Sequence, residues 1–112
     1  MSAITTHVLD TSRGRPGAGI RVELYRLSGE TWKPIGESHT DENGRCGNLM
    51  GNEKPELGTY RLIFHVVEYF EKQNTKTFYS EIPVMFEIGD SGQHYHVPLL
   101  INPFGYSTYR GS

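Results

Sequence analysis

Two imidazoles stand two residues apart in QHYHVP, at His94 and His96. Side chains alternate across a strand, so both project from the face opposite Tyr95, Val97 and Leu99. A third imidazole, His7, sits in ITTHVLD on the side away from Ile4, Thr6 and Val8. Histidine has its ordinary pKa near working pH, so groups placed this way can take and give protons. Three of them could instead hold Zn²⁺ and leave an open position for water. No Cys or carboxylate lies at helpful spacing beside the pair, so nothing forces a metal and none is expected. The bland alternative is a pair of solvated surface residues.

Arg45 follows the turn DENG directly, where a guanidinium can be held at the start of a strand. In a surface ion pair it would contribute little. In a site it would offer planar recognition of an oxygen-rich ligand, or a cation for a developing oxyanion. Cys46 beside it could be a nucleophile flanked by a cation, but a lone Cys in a strand is more often a small buried hydrophobe. The chain closes on YSTYRGS, residues 106–112. Alternation puts Tyr106, Thr108 and Arg110 on one side and Ser107, Tyr109 and Gly111 on the other. So patterned an ending is either an aromatic edge strand or a tail with substrate contacts, Ser112 bringing a hydroxyl and the chain's carboxylate.

Those residues need a scaffold. With 112 residues, 36% apolar and 21% charged, the chain is expected to be one domain, 1–112, with a single core. A formal charge of −2 argues against a nucleic-acid face, and no run approaches the ~20 apolar residues of a membrane helix. The start MSAITTHVLD shows no secretory signal, and the single Cys46 suits a reducing compartment, so the cytosol is the expected address.

Period-two alternation dominates. It predicts strands in ITTHVLD, GIRVELYRL, TYRLIFHVV, EIPVMFEI and YHVPLLI. Turn chemistry lies between them, in SRGRPGAG, DENG, NEKPELG and EIGDSGQ. One short helix of about two turns is expected from Glu68. The glycines of GRPGAG resemble a phosphate loop, yet a strand follows them and not a helix, so they read as a connection. Pro98 removes a ladder donor and favours an edge or bulge nearby. Short strands with Gly-rich turns predict an all-β antiparallel sandwich.

Together THVLDTSRGRPGAGI, DENGRCG and HYHVPLLINPFGYSTYRGS resemble 5-hydroxyisourate hydrolases, the transthyretin-like proteins of purine catabolism. The resemblance runs from about Ile4 to Ser112. It implies a sandwich of two four-stranded sheets with one short helix, assembled as a homotetramer (a dimer of dimers) with active sites at the dimer–dimer interface. It further implies His7, Arg45, His96 and Ser112 as catalytic residues, and His7, Arg45, Tyr109, Arg110 and Gly111 as substrate contacts. His94 does not match a catalytic position and stays outside that set. The reaction implied is hydrolytic opening of 5-hydroxyisourate, the product of urate oxidation, to 2-oxo-4-hydroxy-4-carboxy-5-ureidoimidazoline, without a cofactor. Either His7 or His96 could be the base. The alternatives are a transthyretin-like carrier with no chemistry and a plain interaction module.

Overall fold

The computed structural model describes residues 3–51 and 53–112. Met1, Ser2 and Asn52, the last of which opens the predicted turn NEKPELG, lie outside the described residues. In chain order the elements are β1 (Ile4–Asp10), β2 (Arg15–Pro16), β3 (Arg21–Ser28), β4 (Thr31–His39), β5 (Arg45–Cys46) and β6 (Gly58–His65). Helix α1 (Val66–Glu71), β7 (Ile82–Ile88), β8 (Tyr95–Asn102) and β9 (Gly105–Thr108) complete them.

Two sheets face each other. One has the order β2-β1-β8-β9, and β5 shares with β2 the outer edge of β1. The other runs β4-β3-β6-β7. The core between them follows the alternation of the sequence. Ile4 and Val8 of β1, Val22 and Leu24 of β3, Leu62 and Phe64 of β6, and Leu99 and Ile101 of β8 are fully buried. Burial of each such side chain is worth roughly 1.5–3 kcal/mol, which sets the facing of every strand. A one-residue slip would turn these side chains outward.

Three features depart from expectation. The sandwich is antiparallel except for β1 and β8, which run parallel, with Thr5 opposite His96 and His7 opposite Pro98. Parallel neighbours need a long crossover, and here the whole second sheet supplies it. Strand β4 was not predicted. It is an edge strand, largely exposed, with Pro34 and Gly36 interrupting its alternation and a register shift opposite Leu24 and Tyr25. It returns from β3 through a two-residue loop in which Gly29 takes φ 66°, a hairpin geometry that favours glycine. Helix α1 begins at Val66, two residues before the predicted start.

Pro98 sits in an interior strand, and its effect appears on one side only. Pairing of β8 with β9 stops at Leu99–Thr108 and resumes in the same register at His96–Gly111, so the gap spans Pro98. Thr108 Oγ1 donates to the Pro98 carbonyl across that gap at 2.7 Å. The chain end is thus laid back along β8.

Candidate functional site

The outer face of the first sheet collects polar groups from four segments. From β1 come Thr5 and His7, from β8 His96 with His94 just before it, from β5 Arg45, and from the tail Ser112. Apart from His7, these residues line one cleft of about 310 Å³, together with Thr6, Cys46 and Gly47.

Arg45 is placed by its turn. The Asp41 carboxylate accepts the backbone N–H of Asn43 at 2.8 Å and of Arg45 at 2.9 Å. Gly44 takes φ 78° where a Cβ would lie 2.3 Å from the Val8 carbonyl oxygen, so only glycine lets β5 press onto β1. That contact makes Arg45 the cross-strand partner of His7. His7 itself points Nε2 at the Asn43 carbonyl, 3.0 Å away. A carbonyl only accepts, so the ring is the Nε2–H tautomer and presents Nδ1 as its acceptor.

His96 is held on two sides. Its Nδ1 lies 2.8 Å from Thr5 Oγ1. The backbone N–H of Gly111 donates to its carbonyl at 2.8 Å, and a Cβ on Gly111 would come within 2.6 Å of ring atom Cδ2. With Nδ1 engaged, Nε2 is the nitrogen left for chemistry. Burial pushes the His96 pKa below its ordinary 6.5, and His94, His7 and Arg45 add to the effect, since each disfavours a second positive charge. A half-buried imidazole among basic groups is held towards its neutral form and keeps a lone pair.

Other predicted site residues fall elsewhere. Tyr109, 60% exposed, and Arg110 line a second groove of about 240 Å³ beside β7. The Arg110 guanidinium stacks 4.6 Å over the Tyr95 ring and donates to Gln93 Oε1 at 2.7 Å. Within one chain, then, the tail brings Gly111 and Ser112 to the cleft but turns Arg110 away from it. Cys46 is buried and its thiol pKa is raised chiefly by that burial, which suits a packing residue and not a nucleophile. Among the described residues, no three His, Cys, Asp or Glu side chains are placed to hold a metal ion.

Two cleft residues that act on His96, Thr5 and His94, were not in the predicted set. His94 was set aside, and Thr5 carried no chemistry in the sequence because its contact with both histidines depends on the parallel β1–β8 pairing. The i, i+2 spacing of Thr5 and His7 was the only available signal.

Residues 4–111 match the HIUase/Transthyretin family. The 5-hydroxyisourate hydrolase 2 of Rhizobium meliloti (strain 1021) is 47% identical over 97% of this chain and 95% of its own. A crystal structure of (S)-allantoin synthase superposes with a TM-score of 0.86 at 41% identity, covering 97% of this chain but 43% of that longer one. Sea bream transthyretin in complex with thyroxine superposes with a TM-score of 0.92 at 26% identity, over 97% of this chain and 94% of its own. The family match over residues 4–111, with a relative 47% identical along nearly the whole chain, settles the kinship: this chain belongs to the HIUase/Transthyretin family.

Proposed function

We propose that this protein hydrolyses 5-hydroxyisourate, opening its six-membered ring to 2-oxo-4-hydroxy-4-carboxy-5-ureidoimidazoline. The observation that carries this is one cleft holding the neutral base His96 beside Arg45, itself paired with His7. Water must lose a proton as it attacks a ring carbonyl carbon. His96 Nε2 accepts that proton, a role worth roughly 10²–10⁴-fold. Arg45 stabilises the oxyanion and orients the flat, oxygen-rich ring. His7 offers Nδ1 to a substrate N–H, and Ser112 adds a hydroxyl at the cleft wall. The C–N bond then breaks as its nitrogen is protonated. These groups suffice without a cofactor.

The proposed assembly is a homotetramer, a dimer of dimers with clefts at the dimer–dimer interface. Exposed Met85 on β7 and Tyr106 and Tyr109 around β9 support it, because edge strands with uncovered aromatic and apolar side chains favour association. There Tyr109 and Arg110 would contact substrate across the interface. The proposed address is the cytosol, consistent with the free thiol of Cys46.

The test uses 5-hydroxyisourate made from urate by urate oxidase and follows its ultraviolet absorbance. Faster decay with the protein supports hydrolysis. Unchanged decay with tight ligand binding would favour the carrier, which the likeness to sea bream transthyretin keeps in view. Light scattering should give four times the chain mass of 12.7 kDa.

A further inference from the structure

His94 and His96 are joined by one hydroxyl. Thr5 Oγ1 lies 2.9 Å from His94 Nε2 and 2.8 Å from His96 Nδ1. The two rings lie 6.3 Å apart between centroids and 30° from parallel, too far for direct nitrogen contact through stacking. His94 is exposed, whereas His96 is half-buried. A hydroxyl carries one hydrogen and can donate to only one of the rings, so the other ring must donate to it.

Where the hydroxyl donates to one of the rings, two arrangements are possible. In the first, His96 Nδ1–H donates to Thr5 and the Thr5 O–H donates to His94 Nε2. His96 Nε2 is then bare, and the ring is a base. In the second, His94 Nε2–H donates to Thr5 and the Thr5 O–H donates to His96 Nδ1. His96 Nε2 then carries hydrogen, and the ring is an acid. We infer that Thr5 is a positioning and proton-relay residue, passing protons between His96 in the cleft and His94 at the surface.

The steps balance. When His96 Nε2 takes a proton from water, its Nδ1 proton passes to Thr5 as Thr5 gives its own to His94 Nε2, and His94 releases its Nδ1 proton to solvent. The system is now in the second arrangement. When the leaving nitrogen needs a proton, His96 Nε2 gives one, each transfer reverses, and His94 Nδ1 takes a proton from solvent. Nothing is oxidised or reduced. One ring serves as base and then as acid without holding a net charge beside His7 of β1, Arg45 of β5 and His94 just before β8, the basic groups that act on it.

This relay rests on His96 being the proton-moving group, and the experiment separates the two. Thr5→Val keeps the β-branch and removes the hydroxyl; Thr5→Ser keeps the hydroxyl. Thr5→Val should lower kcat by roughly 10²-fold with little change in KM, and added imidazole should restore part of the loss. Thr5→Ser should recover most of it. Wild-type kcat in Thr5→Val overturns the relay, as does equal impairment in both variants, which would mean packing alone. ¹⁵N spectra of the histidine rings give a readout without substrate. Coupled titration of His94 and His96, lost in Thr5→Val, supports the relay even if the wild type fails to hydrolyse 5-hydroxyisourate and the function falls. Independent titration in the wild type overturns the relay.

Discussion

The two outer faces of this sandwich each carry histidine and arginine, and they use them in opposite ways. On the second sheet, His65 Nε2 bonds to a carboxylate oxygen of Glu23, whose other oxygen accepts the Tyr25 hydroxyl at 2.7 Å and lies 3.6 Å from Arg21 Nη1. The Tyr25 bond first and the His65 bond second hold the Glu23 carboxyl below its ordinary 4.5. Arg61 nearby lies 4.2 Å over the Trp32 ring. Charge is met by opposite charge or by an aromatic face, and the network is static. On the first sheet, the charged groups acting on His96 are all basic. An imidazole bonded to a carboxylate has its nitrogen tied up in structure, whereas one set among basic groups is kept neutral and reactive. The company a histidine keeps separates structure from chemistry.

The largest expected effect comes from removing that neutral base. His96→Asn should lower turnover by roughly 10²–10⁴-fold while the melting temperature barely moves. His7→Asn should also be impaired, by loss of its contact with substrate. The counterpart His65→Asn on the other face should leave turnover intact. Steady-state rates with thermal melts decide it, and a slow His65→Asn enzyme would erase the distinction between the faces.

Arg45 comes next. Arg45→Lys keeps the charge that helps hold His96 neutral but loses the planar fork, so kcat/KM should fall by about 10²–10³-fold. Near-normal rates in Arg45→Lys would mean that only the field of the cation matters.

Gly111 tests how closely the tail packs on the base. A methyl at that position would lie 2.6 Å from His96 Cδ2 and 3.1 Å from Pro98 Cγ. Gly111→Ala should therefore shift ring or tail and cost roughly tenfold or more in kcat, since misplacement by about 1 Å costs on the order of 10²-fold. Circular dichroism should still report a folded sandwich. A fully active Gly111→Ala enzyme would show that the tail can yield without disturbing His96.

How legible all this was depends on range. Alternation exposed β1, β3, β6, β7 and β8, because each buries one face against the other sheet and period two is a local signal. Strand β4 escaped because Pro34 and Gly36 sit in an exposed edge with no buried stripe to show. The turn DENGR revealed Arg45, since Asp and Gly act within a few residues. Pairing direction leaves no such mark. Without the parallel β1–β8 register, Thr5 could not be placed on His96, nor His94 joined to it. The side taken by Arg110 was readable from alternation, yet not its consequence, because the cleft lies on the opposite face.

The smallest effect should come from Glu23, and its pH dependence sharpens the contrast. Glu23→Gln removes the centre of the static network and should cost about 1 kcal/mol at neutral pH, since partly exposed charge networks contribute modestly. The folded pKa of Glu23 is depressed, so its stabilisation is present above 4.5 and is lost as pH falls through the folded value. Wild-type and Glu23→Gln stabilities should therefore converge in that acidic range. His96 is also depressed, so the native state resists its protonation and stability begins to fall below the ordinary 6.5. Activity needs the neutral ring, which places the acid limb of kcat/KM below pH 6.5 as well. Glu23→Gln should not move that limb, because the core of the sandwich lies between the two faces. A limb at or above 6.5 would mean that His96 is no easier to keep neutral than a free imidazole. A limb displaced by Glu23→Gln would mean that the faces are coupled, and the static network would then belong to the catalytic apparatus.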